Sequence, residues 1–144
     1  MAGPETPKLM VDVVIPSERG VVLIRRGSEP FKGKWALPGG FVEVGETVEE
    51  AAERETAEET SLVVEVARLV GVYSDPERDP RGHNVSVAFL VRVFSGQLAA
   101  ASDAAEIAVL DPASVELAFD HSKIVEDALS LDSAMRRGGN RPHP

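Results

Sequence analysis

The chain contains no cysteine. That excludes disulfides, thiolate metal sites and a cysteine nucleophile, and it leaves the redox compartment unmarked. Basic residues are in deficit: 15 Lys and Arg stand against 24 Asp and Glu, a formal net charge of −9. That argues against a nucleic-acid backbone or an anionic membrane as a main partner. A small anionic substrate is not excluded, because metal ions and local arginines can reverse the field inside one cleft. No apolar run approaches membrane-spanning length. The longest, Val85 to Val91, stops at Arg92. Met1 to Lys8 lacks a basic stretch followed by an apolar one, so it does not read as a signal peptide, and a cytoplasmic location is the expectation. There is one tryptophan, Trp35, most simply a packing residue.

What is present suits one domain with a substantial core. The chain has 144 residues, 43% hydrophobic and 27% charged. The expected division is a flexible N-terminus over 1–8, a domain over 9–135 and a flexible tail over 136–144. The chain turns on Gly39-Gly40-Phe41-Val42-Glu43-Val44-Gly45-Glu46-Thr47 and the segment that follows. Thr47 with Glu50 forms a capping box, so a helix starts there and ends near Ser61, where the β-branched run Leu62 to Val66 takes over. At about 100° per residue, one face collects Val48, Ala51, Ala52, Glu55, Glu59 and Leu62, with Glu58 at its edge. Glu49, Glu50, Glu53 and Ala57 fall on the opposite, solvated face. Carboxylates on the inward stripe repel one another and resist desolvation. Arg54, one turn before Glu58, supplies a single positive charge for the cluster. A hard divalent cation held by Glu55, Glu58 and Glu59 would neutralise it, with Mg²⁺ the default and Mn²⁺ the alternative.

The rest of the chain reads mostly as strands. Leu9 to Ile15 and Val21 to Ile24 suggest a hairpin across Pro16–Gly20. Arg25-Arg26 closes it, and Arg25 is either a solvated strand end or a phosphate or ribose contact. Leu62 to Val72 and Asn84 to Phe94 read as strands, with Gly71 at a bulge. Between them lies a loop stiffened by Pro76 and Pro80. Arg78, Arg81 and His83 on that loop offer cationic donors that a negative protein otherwise lacks for a diphosphate. Gln97 to Ser102 reads as a small-residue loop. Asp103 to Leu110 has an acidic start, including Glu106, and an apolar end. An amphipathic helix follows over Ser122 to Met135, capped by Asp120 or Ser122. His121 has no histidine neighbour and reads as structural.

The spacing Gly40-x5-Glu46-x7-Arg54-Glu55-Thr56-x-Glu58-Glu59-x-Ser61-Leu62 resembles the Nudix box, G-x5-E-x7-R-E-U-x-E-E-x-G-U with U aliphatic. Thr56 departs from the usual aliphatic residue and Ser61 from the usual second glycine. Ser61 leaves the helix exit without the residue best suited to a left-handed cap. The resemblance covers about Leu9 to Leu129. It implies an α/β fold, the Nudix-type α/β/α sandwich with a central mixed β-sheet, and it makes the Gly40 carbonyl a metal ligand beside Glu55, Glu58 and Glu59. Arg54 would orient the glutamates. Glu106 would contact metal or activate water, and the general base stays open between a box glutamate and Glu106.

The stretch Tyr73-Ser-Asp-Pro-x-Arg-Asp-Pro-Arg-x-His83 is similar to the post-box segment of ADP-ribose pyrophosphatases, whose marker is a proline about fifteen residues past the box, here Pro76. This implies metal-dependent hydrolysis of ADP-ribose, a small-molecule nucleotide, to AMP and ribose 5-phosphate. The alternatives are Nudix hydrolysis of dinucleoside polyphosphates or oxidised nucleoside triphosphates, and a module that senses ADP-ribose without cleaving it. Related ADP-ribose hydrolases are commonly dimers, so a homodimer is a further expectation.

Overall fold

The computed structural model describes residues 3–99 and 106–139. Its elements in chain order are β1 (Lys8–Val14), β2 (Pro16–Ser17), β3 (Gly20–Arg25), β4 (Trp35–Ala36), β5 (Gly39–Phe41), α1 (Val48–Thr60), β6 (Val63–Tyr73), β7 (Asn84–Ser95), β8 (Glu106–Leu110) and α2 (His121–Gly139). A short 3-10 turn over Pro112–Ser114 links β8 towards α2. One four-stranded sheet runs β5-β1-β7-β6. In the other, β3 pairs with β2, β4 and β8.

Alternation along β1 and β7 explains how two helices sandwich the sheets. Val11, Val13, Phe89 and Val91 point one way and pack with Ala51, Ala52, Leu62 and Val64 in the core under α1. Val14, Ala88 and Leu90 point the other way and pack with Ile124, Val125 and Ala128 of α2. Successive side chains of a strand face opposite sides, so two central strands buried on both faces need a cover on each. This is the α/β/α sandwich. The sheet under α1 is mixed: β1 runs parallel to β7 and antiparallel to β5.

The expected hairpin of Leu9–Ile15 with Val21–Ile24 does not form. β1 lies between β5 and β7, and the short β2 takes its place beside β3, pairing Pro16 with Val21 and Ser17 with Gly20. A strand apolar on both faces gains more from a central position than from an edge hairpin. Gly71 adjoins a register shift in the β6–β7 ladder, as a bulge there requires. The helix α2 runs beyond Met135 to Gly139. The expected acidic start at Asp103, the second half of the Gln97–Ser102 loop, and the chain beyond Gly139 lie outside the described residues; the strand after them begins at Glu106.

Helix α1 begins as its sequence dictates. The Thr47 side chain accepts from the Glu50 N–H at 3.0 Å, and the Glu50 carboxylate accepts from the Thr47 N–H at 3.1 Å. Its end is held by Ser61 in the left-handed region, at φ 66°. The serine adopts the conformation that glycine would take more cheaply. Thr56 is fully buried on the inward side, its hydroxyl donating to the Ala52 carbonyl at 2.7 Å. Back-bonding satisfies the polar atom and leaves a methyl to pack, so a threonine serves where an aliphatic side chain would.

Candidate active site

A cavity of about 390 Å³ opens between the start of β5, the inner face of α1, the 78–81 loop and the approach to α2. Its walls differ in chemistry. Gly39, Gly40, Glu55 and Glu59 form one side, Asp12, Arg78, Asp79 and His121 the floor, and Arg26, Phe41, Arg81 and Phe119 the rest. A narrower recess of about 140 Å³ lies beyond Gly39, and Arg26 and Glu59 border both spaces.

The acidic side is built by one helix turn against one strand. Glu55 and Glu59 sit on the inward stripe of α1, half-buried. Gly40 passes so close to Glu55 that a Cβ there would stand 2.5 Å from its carboxyl carbon. Glu59 Oε2 accepts from the Gly39 N–H at 2.9 Å. Burial pushes the Glu55 carboxyl above its ordinary range, against the pull of Arg54, and Glu55 shares a hydrogen bond with Glu59. Two carboxyl groups sharing a hydrogen bond at a half-buried site, against the Gly39–Gly40 backbone, are hard-oxygen donors short of positive charge, and a divalent cation fits them. Glu58 lies on the outer side, its side chain 59% exposed and 3.3 Å from Arg54. Among the described residues no three His, Asp or Glu side chains stand together as a ready-made metal cage.

Arg54 explains that arrangement. Its guanidinium reaches Glu46 at 2.6 Å, Glu55 at 3.0 Å, Glu58 at 3.3 Å and Glu43 at 3.7 Å, and it donates to the Phe41 carbonyl at 3.1 Å. Its hydrogen bonds hold Glu46 down to about 2. One cation thus spans the glycine loop and the helix and orders several carboxylates without balancing them.

The floor is a second charge network, and sequence reading missed most of it. Asp12 falls on the α2 side of β1 by the same alternation that sends Val11 and Val13 to α1. Its carboxylate accepts from Ser86 Oγ at 2.5 Å and lies 3.5 Å from Arg78 Nη2 and 3.3 Å from His121 Nε2. Arg78 forks onto Asp120 at 2.7 and 2.9 Å. Expected as a substrate contact, Arg78 instead has a side chain only 3% exposed, with its donors spent on Asp12, Asp120 and the Asn84 carbonyl. Asp120, expected as a cap, holds that guanidinium while its backbone carbonyl accepts from the Ile124 N–H. Beside it, Asp79 would be pushed up by burial, but the Arg81 fork, the Arg81 N–H and the Asn84 amide bring it down to about 2.

The remaining wall is cationic and aromatic. Arg81 lies 5.9 Å from the Phe41 ring centre and 5.3 Å from that of Phe119, and Arg26 lies 5.1 Å from Phe119 on another side. Phe119 and Phe31 meet edge to face at 4.8 Å, both with positive φ, 53° and 59°. That backbone is costly for a bulky side chain, and such strain concentrates at ligand clamps.

Other sequence candidates fall outside the lining of the larger cavity, and Arg25 borders the narrower recess. Arg25 pairs with Glu106 at 3.2 Å, both half exposed, so the two candidates engage each other. Arg26 is the neighbour that turns to the cavity, and the alternation of adjacent residues at a strand end was the available signal. His83 Nε2 meets the Ser74 carbonyl at 3.0 Å in an adjoining surface recess, and Pro76 is an exposed loop residue.

Fold and site together define a class: two helices cover the sheets on opposite faces, and a glycine loop lies against an acidic helix at one cavity. The NUDIX domain profile matches residues 6–128, and the chain belongs to that family. More narrowly, it is 52% identical over 122 residues to the ADP-ribose pyrophosphatase of Methanocaldococcus jannaschii, a match covering 84% of this chain and 72% of that protein. The NUDIX domain of Shewanella oneidensis NrtR, solved with ADP ribose, superposes with a TM-score of 0.75 at 27% identity over 88% of each chain. A Francisella tularensis bifunctional NMN adenylyltransferase/ADP ribose pyrophosphatase, solved with AMP and a Mn ion, gives a TM-score of 0.78 at 26% identity, covering 90% of this chain and 43% of that one.

Proposed function

We propose that the protein is a metal-dependent ADP-ribose pyrophosphatase that cleaves the diphosphate to AMP and ribose 5-phosphate. The observation that carries this reading is the pair Glu55 and Glu59, half-buried against Gly39 and Gly40 and short of positive charge. The resemblance to the Methanocaldococcus jannaschii enzyme selects the substrate. Glu55, Glu59 and the Gly40 carbonyl would hold Mg²⁺, and Glu58 would join them by rotating from Arg54. Bound there, the ion neutralises diphosphate oxygens and lowers the pKa of a water for attack on phosphorus.

The chain's own residues do the rest. Arg54 keeps Glu55 ionised when the site is filled and fixes the helix to the glycine loop. Arg26 and Arg81 would receive the negative charge of the bound diphosphate. Phe41 and Phe119 exclude water from that side. Glu106 pairs with Arg25 away from the larger cavity, which favours a box glutamate as the proton acceptor, with Glu106 as the alternative.

The test is product identification after incubating the protein with ADP-ribose, diadenosine polyphosphates and 8-oxo-dGTP, each with Mg²⁺, with Mn²⁺ and with excess chelator. AMP and ribose 5-phosphate from ADP-ribose alone, lost with chelator, are expected. Full turnover in chelator, or preferred cleavage of another nucleotide, refutes the assignment.

A further inference from the structure

Three consecutive residues ahead of the acidic helix are each pinned by a different element. The Leu37 N–H donates to His121 Nδ1 at 3.0 Å, the Pro38 carbonyl accepts from the Val13 N–H at 2.9 Å, and the Gly39 N–H donates to Glu59 Oε2 at 2.9 Å. Only the first of these ties comes from α2. His121 is buried, 4% exposed, with its ring tilted 5.3 Å from that of Phe119.

An imidazole nitrogen that accepts a hydrogen bond carries no proton, so the contact with Leu37 fixes the tautomer: Nδ1 bare, Nε2 protonated. Nε2–H then faces Asp12 Oδ1 at 3.3 Å. That same oxygen packs against Gly39, where a Cβ would stand 2.8 Å from it. The ring therefore holds the Leu37–Gly40 loop at its entry through Nδ1 and backs it through Asp12.

We infer that His121 is a positioning residue for the reaction: its neutral ring sets the Leu37–Gly40 backbone, and through it the Gly39 N–H that aims Glu59 and the Gly40 backbone packed on Glu55. This rests on the reading of Glu55, Glu59 and Gly40 as the reacting centre. A merely structural histidine would change stability and leave the loop's own amides alone.

Two substitutions separate the ring's contacts. His121→Asn keeps an acceptor near the Nδ1 position and gives up the reach to Asp12. His121→Gln keeps the reach to Asp12 and gives up the acceptor for Leu37. In the metal-free protein, His121→Gln should raise hydrogen exchange at Leu37 and Gly39 about tenfold, and it should cut kcat on ADP-ribose about tenfold with KM within about twofold. His121→Asn should stay within about threefold of wild type in both. Exchange at Ala88 and Leu90 should not change in either variant. Equal behaviour of the two variants, or unchanged Leu37 exchange in His121→Gln, overturns the inference.

Wild-type protein gives an arm that needs no variant to fold. Ring ¹⁵N shifts should show protonated Nε2 and bare Nδ1, and an Nδ1–H tautomer overturns the inference as well. The exchange and tautomer arms use neither substrate nor metal. A failure to hydrolyse ADP-ribose would therefore sink the functional reading, and unmoved Leu37 exchange would sink the role of His121.

Discussion

Two arginines organise opposite sides of the cavity, and they do different work. Arg54 lies within 4 Å of four carboxylates, those of Glu43, Glu46, Glu55 and Glu58, at a partly exposed position. Arg78 is almost wholly buried between Asp12 and Asp120, and its site is closed by neutral donors from Ser86 and His121. The first cluster is unbalanced, one cation against four carboxylates; the second sets one cation against two, and neutral donors make up the balance. Burial pushes Glu55 up, while each carboxylate beside Arg78 has a hydrogen-bond donor aimed at it. An excess of negative charge at a cavity wall is a place for chemistry; a matched buried network is a place for architecture.

The largest effect should come from the unbalanced side. Glu59→Gln keeps an oxygen for the Gly39 N–H but removes a negative charge, and kcat should fall about a thousandfold, with a melting temperature close to wild type. Near-wild-type turnover with Mg²⁺ would erase the distinction between the clusters. On the balanced side the loss should be in stability. Arg78→Ala takes the cation from buried Asp12 and partly exposed Asp120, and urea unfolding should show a loss of about 3 kcal/mol. A variant as stable as wild type whose KM alone rises would return Arg78 to the role of substrate contact.

Asp79 tests balance through pH. Its folded carboxyl lies at about 2, below the ordinary 3.8. The unfolded chain binds the extra proton between those values, so the stabilisation, about 2 kcal/mol, is present above pH 4 and lost as pH falls towards 2. Arg81→Ala should move that acid transition upward, because it removes the fork. The same variant should raise KM for ADP-ribose about tenfold while changing kcat little, since its contact precedes the transition state. An unchanged KM would take Arg81 out of the substrate site. The smallest change expected is at the helix exit. Ser61→Gly should stabilise by about 0.5–1 kcal/mol in urea unfolding, by relieving a left-handed serine.

The unbalanced cluster was legible in the sequence because it is local. Capping box, inward glutamates and arginine lie within one helix and the loop before it, and spacing alone places Glu55 and Glu59 on the inward face. The balanced cluster was not, because β1, β7, the 78–81 loop and the start of α2 meet only after the sheet is built. Asp12 looked like one more residue in an apolar strand, and its parity with Val14 put it on the α2 side, yet nothing local pairs it with His121, 109 positions later. Arg78 and Arg81 looked alike as loop cations. Burial distinguishes them, 3% against 39% exposure of the side chain. The strand pairing failed for a related reason: a hairpin is the default for neighbouring strands, and only the two-sided burial of β1 overrides it.

Gly40 carries a consequence for how this protein can change over generations. The space beside it is already taken by the Glu55 carboxyl, so even a methyl group there would push that carboxyl aside. An alanine at this position is expected to shift Glu55 against the loop without altering a charge or a donor, by volume alone. Variation at this point of the loop is thus coupled to where one carboxylate sits, a link that an inventory of reactive groups would not reveal.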